Sequence, residues 1–429
     1  MYAVGNIHRF FLTMFKNTKV ITSLSKALQQ LALVMMMGLF CHSALASEAE
    51  ISESNITENN IAESSVEGNV GESNIEKNTS NKIRVLLVNP SIENDPFWHK
   101  IEKITKQAAT ELNIDLAIIY GHGTRFFQLD ELKKYFEHNP VPDYIVLLNY
   151  PGHAKLTMDF LQQQQVKVIT LEQTIAKEEK TLIGTPGNKY KNWLGEIYFN
   201  NSSAGHMLAK SLINMVKSAN KKPIVAGISG HFGSESSLRN SGLQKAIKES
   251  GAQLTQIVHA GWSAEDAYQK TIGLLKRYPN INIIWCASDH MALAVVDAIE
   301  DSGKVVGVDI LVGGFDWTPK AIISINNNKL TASIGGHFMM GAMAIMAIYN
   351  EEQGISHNVF VNEHYNSFEL ALISKKNISE YIHLLQSETL TQVSFKELVQ
   401  LYSTRAGKSS GNLLEMLEKT SLKKSNINH

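Results

Sequence analysis

From residue 83 onward, the sequence alternates between short apolar runs of strand length and amphipathic stretches of helix length. The runs are apolar throughout rather than alternating with polar residues, which is typical of strands covered on both faces. Such strands form parallel sheets with helices on either side, so the pattern predicts an α/β fold of doubly wound parallel sheets. The predicted strands are IRVLLVNP (83–90), LAIIYG (116–121), YIVLLNY (144–150), KVITLEQ (167–173), IVAGISG (224–230), LTQIVHAG (254–261), INIIWCAS (281–288), ILVGGFDW (310–317) and LTASIGG (330–336).

The alternation breaks once, between residues 174 and 200, where strand and helix signals both weaken. Four predicted strands come before the break and five follow it. A chain of 429 residues is also too long for one ordinary hydrophobic core. We therefore predict two similar α/β lobes joined near Asn200.

The first 46 residues have the features of a secretory signal peptide. Basic residues precede an apolar run, LALVMMMGLF (31–40), and Ala44 and Ala46 form the small-x-small pattern of a cleavage site. We expect residues 1–46 to be removed, so that the mature chain begins near Ser47. A start at Met14 would give a signal of more ordinary length. No later stretch approaches the ~18 apolar residues that span a bilayer, so an exported, periplasmic protein is predicted.

Residues 47–82 are rich in Glu, Asn and Ser and contain almost no aromatic residues. Such a segment cannot bury enough apolar surface to offset the entropy lost on ordering. It is interpreted as a disordered acidic leader, with the role of a tether.

Composition excludes some classes of partner and of covalent structure. The formal net charge of −1 gives no field for gathering nucleic acid or anionic lipid. Signal cleavage leaves Cys286 as the only cysteine, so no internal disulfide can form. Because Cys286 lies within the apolar run INIIWCAS, we interpret it as a buried, inert thiol.

The last segment, residues 375–429, falls outside the strand pattern. SFKELVQLYS (394–403) begins with a capping box, Ser394 to Glu397, and predicts one short helix. The final residues are polar and rich in lysine, which is typical of a frayed end. The helix is expected to pack on a lobe, and a docking element for a partner is the alternative.

Polar and aromatic residues follow the predicted strands at the points where the strands end. In open α/β sheets, ligands bind outside the carboxyl ends of the strands, so these residues are expected to meet at one site. Asp95 and Pro96 suit a helix start after the first strand, and two large aromatics follow them. The candidates are Asn89, Phe97, Trp98, Asn149, Glu172, Gln173, Arg239, Trp262, Ser288, Asp289, Asp316 and Trp317.

This set of side chains matches the chemistry of a sugar. Sugar hydroxyls accept and donate hydrogen bonds, which carboxylates, amides and guanidinium groups can satisfy. The apolar C–H faces of the ring pack against aromatic side chains. The pattern therefore favours a binding site for a sugar or a sugar-like molecule.

Each candidate also has a purely structural interpretation. Phe97 and Trp98 could pack at the helix entrance as a hydrophobic staple, and Asp316 could cap the following helix. Arg239 could form a surface ion pair, while Glu172 and Gln173 could be solvated loop residues. Trp262 precedes a capping box, Ser263 to Asp266, and could likewise be a staple. The convergence of all of them at strand ends favours the site.

Several motifs in this order resemble the type I periplasmic sugar-binding proteins, which include the ribose-binding protein and the receptor for the furanosyl quorum signal. The resemblance covers residues 83 to 374. It rests on DPFWHKIEKITKQAATELNIDL, KVITLEQ, GSESSLRNSGLQKAI with Arg-x-x-Gly at 239–242, NINIIWCASDHMALAVVDAI, and VGGFDWTPKAIISINNNKLTASI.

The resemblance implies two lobes, a three-strand hinge and a sugar held between the lobes. The chain would recross near Gly336-His337 and again near Glu363. Lobe 1 would comprise residues 83–200 and 337–362, and lobe 2 residues 201–336 and 363–374. Carried over by position, the contacts from lobe 1 are Asp95, Phe97, Trp98, Asn149, Glu172 and Gln173, and those from lobe 2 are Arg239, Trp262, Ser288 and Asp316.

The sequence departs from the ribose-type pattern at several of these positions. Glu172-Gln173 stands where Asp-Arg is usual, so a bidentate guanidinium is missing there. Ser288 replaces the usual Asn, Gly336-His337 stands where a Gln is usual, and Trp98 is larger than the common Phe. His337 joins the candidate contacts on this ground. These changes still leave a site suited to a sugar, but the resemblance does not identify which sugar binds.

The implied function is capture of a small solute by hinge closure, without chemical change and without a cofactor or metal. The closed protein, expected to be a monomer, would deliver the solute to an inner-membrane ABC importer. The alternative is a sensor that signals through a membrane histidine kinase or a similar receptor. An enzyme is disfavoured because G-x-S-x-G, H-E-x-x-H and P-loop motifs are absent. A repressor of the lactose type would need a DNA-binding headpiece where this chain has an export signal.

Overall fold

A computed structural model describes residues 82–172, 178–354, 367–404 and 413–420. The predicted signal peptide and nearly all of the predicted leader lie outside the described residues, as does Gln173. Within the described part of the chain, no helix is both long and apolar enough to cross a bilayer.

Lobe 1 is built on a six-stranded sheet with the order β11-β5-β4-β3-β1-β2. All its pairings are parallel. Its strands are β1 (Arg84–Asn89), β2 (Asp115–Tyr120), β3 (Tyr144–Leu148), β4 (Lys167–Leu171), β5 (Trp193–Phe199) and β11 (Ser367–Phe368). Its helices are α1 (Pro96–Glu111), α2 (Arg125–His138), α3 (Ala154–Gln163), α4 (Lys180–Ile183) and α10 (Met340–Glu352), with a 3₁₀ turn at His337–Met339 before α10.

Lobe 2 is built on a second six-stranded sheet with the order β12-β10-β9-β8-β6-β7, in which only the β10–β12 pair is antiparallel. Its strands are β6 (Ile224–Ser229), β7 (Gln253–His259), β8 (Ile283–Cys286), β9 (Leu311–Phe315), β10 (Ala332–Gly335) and β12 (Ala371–Ser374). Its helices are α5 (Asn201–Ser218), α6 (Ser234–Ser250), α7 (Ala264–Arg277), α8 (Asp289–Asp301) and α9 (Pro319–Asn326).

Successive residues of the central strands pack into opposite layers, which explains the continuous apolar runs. In β1, Val85 and Leu87 belong to one buried cluster, whereas Leu86 and Val88 belong to another on the other face of the sheet. A strand between two helical layers needs an apolar side chain at every position. Cys286, the last residue of β8, is buried with a free thiol.

Short polar side chains begin most of the helices that follow the strands. Asp95 accepts hydrogen bonds from the backbone of α1, and Ser263 does the same for α7, as their positions predicted. Thr124, Asn200, Ser288 and Thr318 cap helices in the same way. Each cap fixes the direction in which the chain leaves the carboxyl end of a strand.

The chain passes between the lobes between β5 and α5, between β10 and the 3₁₀ turn, and between β11 and β12. The last of these passages was expected near Glu363, a position outside the described residues, whereas the passage that the structure describes follows Phe368. Ser367 and Phe368 pair with Tyr198 and Phe199 as an edge strand of the lobe 1 sheet. Residues 367–368 therefore belong to lobe 1 rather than to lobe 2.

In the described part of the chain, three helices follow β12. Helix α11 (Ile378–Leu385) packs on α9 of lobe 2. Helix α12 (Phe395–Thr404) packs on α1 and α10 of lobe 1, and α13 (Leu413–Thr420) packs on α12. The helix predicted over residues 394–403 thus lies against a lobe.

Candidate functional site

Asp316 lies at the end of β9 and joins groups from three parts of the chain. His337 donates a hydrogen bond from Nε2 to Asp316 Oδ1 over 3.0 Å. The Arg239 guanidinium nitrogen Nη1 lies 3.9 Å from the same oxygen, and the Asp289 backbone N–H lies 3.4 Å from Oδ2. The side chain of Thr318, not of Asp316, caps helix α9. Asp316 therefore forms the centre of a buried polar network.

Arg239 is buried rather than placed on the surface. Its Nε donates to Asn201 Oδ1 over 2.8 Å, and its Nη1 donates to the Ala287 carbonyl over 2.6 Å. The guanidinium lies 4.6 Å from the centroid of the Phe315 ring and 5.8 Å from that of Trp262. A cation over aromatic faces, with carbonyl and amide acceptors, is held in one orientation.

The Arg-x-x-Gly spacing explains how Arg239 reaches Asn201. A Cβ atom on Gly242 would lie 2.1 Å from the Ser202 carbonyl oxygen, and one on Gly205 would lie 2.2 Å from that of Arg239. Helices α5 and α6 therefore touch backbone to backbone at these glycines. This close approach brings the first residue of α5 to the guanidinium.

Behind Asp316, a second carboxylate is fully enclosed. Ser333 Oγ donates to Asp289 Oδ1 over 2.7 Å, and the Thr318 backbone N–H donates to Oδ2 over 2.9 Å. Burial raises the pKa of Asp289 well above its usual range, and the neighbouring Asp316 carboxylate adds to the shift. Asp289 ties the loop after β9 to β10 and to helix α8.

The backbone at Asp316 and Trp317 is strained, since their φ angles are +113° and +53°. The turn is held by the Trp317 ring, whose Nε1 donates to the Ser333 carbonyl over 3.1 Å. A Cβ atom on Gly335 would lie 2.3 Å from Trp317 Cγ, so only glycine admits the ring there. Strain of this kind is retained where it points a side chain into a functional cleft.

The lobe 1 side contributes a group of aromatic rings. Phe97 and Trp98 are half-buried and meet edge to face, with their centroids 5.7 Å apart. His337 lies between Phe97 and Phe199, at 4.7 Å and 4.8 Å. Trp98, Phe97, His337, Asp316 and Arg239 thus form one continuous chain of contacts from lobe 1 to lobe 2.

His337 is the junction of that chain. Burial lowers the pKa of His337, while the hydrogen bond to Asp316 acts in the opposite direction. The neutral ring donates from Nε2, which leaves Nδ1 as an acceptor. Among the described residues, no group donates to this buried Nδ1. His337 orients Asp316 from the lobe 1 side.

Glu172 ends β4 with a left-handed φ of +61° and is half-buried. Its backbone N–H donates to the Ile197 carbonyl over 2.8 Å. Burial raises the pKa of Glu172 to about 8, the Glu235 carboxylate adds to the shift, and Arg239 opposes it. Burial likewise raises the pKa of Tyr150, with Glu172 and Glu235 contributing. The Glu172 carboxyl group therefore lies within electrostatic range of Glu235 and Arg239 of lobe 2.

A family sequence profile described as "Periplasmic binding protein domain" matches residues 85–355. The chain belongs to the periplasmic binding protein family. The predicted architecture of two parallel-sheet lobes is confirmed.

Curated relatives of this periplasmic binding protein include sugar-binding proteins. It is 33% identical to the D-allose-binding periplasmic protein of Escherichia coli (strain K12) over 112 residues, which are 26% of this chain and 35% of that protein. It is 22% identical to the ribose import binding protein RbsB of Bacillus subtilis (strain 168) over 259 residues, 60% of this chain and 78% of that protein. These relatives are named as binding proteins, not as enzymes.

Solved structures show the same fold. A periplasmic sugar-binding protein from Pseudomonas fluorescens superposes with a TM-score of 0.65 at 24% identity, covering 78% of this chain and 99% of that one. A periplasmic solute-binding protein from Actinobacillus succinogenes 130z, with bound D-allose, gives 0.59 at 20% identity, covering 70% and 100%.

Other predicted contacts of this periplasmic binding protein are used within the fold. The Asp95 carboxylate accepts from the backbone N–H groups of Phe97 and Trp98 and from Ser91 Oγ. Ser288 Oγ caps α8 by accepting from the Met291 N–H over 3.2 Å. Trp262 packs its ring on Gly230, where a Cβ atom would lie 2.1 Å away.

Asn149 differs from these side chains. It ends β3 and is 3% exposed, and its Nδ2 has no hydrogen-bond partner among the described residues. A buried amide N–H₂ without an acceptor is costly in free energy unless a ligand or a water satisfies it. Gln173 lies outside the described residues.

Sequence reasoning missed Lys100. Its Nζ donates to the Trp317 carbonyl of lobe 2 over 2.8 Å and lies 4.3 Å from the Phe338 ring centroid. Burial lowers the pKa of Lys100 to about 8, although Asp289, Glu388 and Asp316 favour its charged form. The sequence spacing could have identified it. Lys100 precedes the buried Ile104 and Ala108 by four and eight residues, and this spacing places the lysine on the inner face of α1.

Proposed function

We propose that this periplasmic binding protein captures a sugar or sugar-like molecule between its lobes and releases it chemically unchanged. The supporting observation is the chain of contacts from Trp98 through His337 and Asp316 to Arg239. It brings aromatic faces, a carboxylate and a guanidinium to the carboxyl edges of both sheets. The allose-binding and ribose-binding relatives, and the allose-bound structural neighbour, agree with this class of ligand.

The proposed mechanism is hinge closure. In the closed arrangement a ligand contacts both lobes, whereas in the open arrangement it contacts only one. The ligand shifts the equilibrium toward the closed arrangement by as much as it binds that arrangement more tightly. Asp316 and Asn149 would take hydroxyl groups, while Phe97 and Trp98 would cover apolar ring faces. Arg239 would hold Asp316 in place and neutralise its charge.

We further propose export by the signal peptide at residues 1–46 and delivery of the ligand to an inner-membrane ABC importer. The relative named as a ribose import binding protein supports this partner. Sensing through a membrane receptor is the other outcome. A deletion strain separates them, because loss of radiolabelled sugar uptake supports delivery, whereas intact uptake with a lost transcriptional response supports sensing.

A thermal-shift screen of the purified protein against monosaccharides and disaccharides tests the binding proposal. A ligand at about 100 times its Kd stabilises the native state by about 2.7 kcal/mol, which appears as a rise of several degrees in Tm. At least one sugar should produce this rise in the wild type and not in Asp316→Ala. If no sugar raises Tm, or if the variant responds equally, the proposed site is wrong.

A further inference from the structure

The C-terminal segment makes another passage between the lobes, beyond the three that the hinge strands provide. After β12, the segment stays with lobe 2, where Lys375 Nζ donates to the Asn326 carbonyl and α11 packs on α9. Leu384 and Leu385, at the end of α11, are buried. From Glu388 onward, the contacts of the segment are with lobe 1.

One face of helix α1 receives the segment along its whole length. Lys103 and His99 pair with Glu388 in the first turns of the helix. Gln107 then makes a reciprocal pair with Leu390, since its Nε2 donates to the Leu390 carbonyl over 2.9 Å and its Oε1 accepts from the Leu390 N–H over 3.1 Å. These three α1 residues, 99, 103 and 107, follow the four-residue spacing of a single helix face.

The same face ends in a stronger attachment. The Glu111 carboxylate accepts from Ser394 Oγ over 2.9 Å and from the backbone N–H groups of Phe395 and Lys396 over 3.0 Å and 3.1 Å. A carboxylate at the amino end of a helix satisfies free N–H groups and interacts favourably with the helix dipole. The apolar side chains Leu390, Val393, Phe395 and Leu398 are buried beside these contacts.

Only Gln386 and Ser387 connect the two attachments. An extended chain spans at most about 3.3–3.6 Å per residue, so the Cα atoms of Leu385 and Glu388 can separate by no more than about 11 Å. Any opening that moves them further apart must first detach α11 from lobe 2 or residues 388–396 from α1. Each attachment combines buried apolar side chains with hydrogen bonds at its more exposed edge.

We propose that residues 375–404 form a tether that limits how far the two lobes open. The tether also places the Glu388 carboxylate where it favours the charged form of Lys100, whose ammonium contacts Trp317 across the lobes. Opening is therefore restrained by the covalent link and by an interlobe contact beside it. This restraint is a property of the protein without ligand and does not depend on which molecule the cleft binds.

Lengthening the tether tests the proposal without removing either attachment. Four residues, Gly-Ser-Gly-Ser, are inserted between Gln386 and Ser387, which extends the permitted separation to about 25 Å. Double electron–electron resonance then measures interlobe distances between spin labels at Leu156→Cys and Val305→Cys, two exposed positions in different lobes. The background carries Cys41→Ser and keeps Cys286, which is buried.

The insertion should roughly double the width of the interlobe distance distribution. The same insertion between Pro140 and Val141, an exposed loop within lobe 1, should leave it unchanged. A second variant, Glu111→Gln, weakens the lobe 1 attachment and should also widen the distribution, whereas the exposed Glu137→Gln should not. An unchanged distribution in the tether insertion, with cooperative unfolding retained, would overturn the proposal.

Discussion

On the lobe 2 side of the cleft, Arg239, Asp289 and Asp316 are 3%, 0% and 6% exposed, and neighbouring groups bond each of them. On the lobe 1 side, Phe97 and Trp98 are half-buried rings that contact each other, and their backbone N–H groups donate to Asp95. The lobe 2 side is thus a network set before any ligand arrives. The lobe 1 side presents surfaces whose contacts a ligand would complete.

This difference assigns a different energetic role to each lobe. A buried polar network in which every group is hydrogen-bonded keeps its side chains in one arrangement. Removing one side chain leaves its former partners buried without a hydrogen bond, which costs free energy of desolvation. Aromatic faces contribute through the apolar area that a ligand covers, and they tolerate small changes in its position. We therefore expect lobe 2 to set which ligand binds and lobe 1 to set how tightly the closed form holds it.

The largest effect should follow Asp316→Ala. Removing one partner of a buried, hydrogen-bonded charge pair costs about 2–5 kcal/mol in binding, so sugar affinity should be lost in calorimetric titration. Unfolding should remain cooperative, because Arg239 keeps its bonds to Asn201 and Ala287. Asp297→Ala, at an exposed position of lobe 2, serves as the control. Binding retained within a few-fold would place the pocket elsewhere.

A smaller loss of affinity is expected for Trp98→Ala, about 1–3 kcal/mol, the value of covering a large aromatic face. The exposed Phe127→Ala in the same lobe should change affinity little. If Trp98→Ala leaves affinity unchanged and lowers only Tm, the ring packs at the entrance of α1, and the assigned role of lobe 1 is wrong.

Glu172→Gln should alter the pH dependence of stability. The pKa of Glu172 is raised from 4.5 to about 8, so the folded chain keeps a proton that the unfolded chain loses. The stability that this provides is present below pH 4.5 and is lost as pH rises through 8. Wild-type Tm should therefore fall relative to that of Glu172→Gln between pH 5 and pH 7.5.

The exposed Glu178→Gln is the matched control for that measurement. Its Tm should follow that of the wild type across the same pH range. Parallel curves for wild type and Glu172→Gln would show that Glu172 is solvated, as its loop position alone suggested. The carboxyl groups of the two lobes would then differ more in burial than the structure indicates, because those of lobe 2 are enclosed.

The sequence predicted the strands buried on both faces, because a short, continuous apolar run between two helix-length stretches is typical of a strand between helical layers. It missed β5, whose residues alternate between buried and half-buried positions, within the segment where the pattern weakened. The two-residue β11 was too short to recognise, which is why the passage near Glu363 was misplaced. Strand length and two-sided burial are local properties, whereas edge strands depend on their partners.

The candidate site shows the same division. The strand-end argument identified Asp316, which directly follows β9. Arg239 was expected at the end of the loop after β6, but it lies within helix α6. The sequence could not show that Asn201 and Ala287 would bind Arg239, since those partners lie 38 and 48 residues away. Nor could it show that three donors would occupy the Asp95 carboxylate. Which oxygen remains available to a ligand is decided by tertiary packing.

The smallest effect on binding is expected for Ser288→Ala. Ser288 ends β8 beside the network, but its Oγ already accepts from the Met291 N–H, so its removal costs about 1 kcal/mol of stability through the lost cap. Affinity should stay within about threefold, less than ~0.7 kcal/mol. Ser263→Ala, which removes the equivalent cap from α7, is the control. A tenfold loss of affinity in Ser288→Ala alone would mean that this hydroxyl donates to the ligand while it caps the helix, and that the lobe 2 network extends to the end of β8.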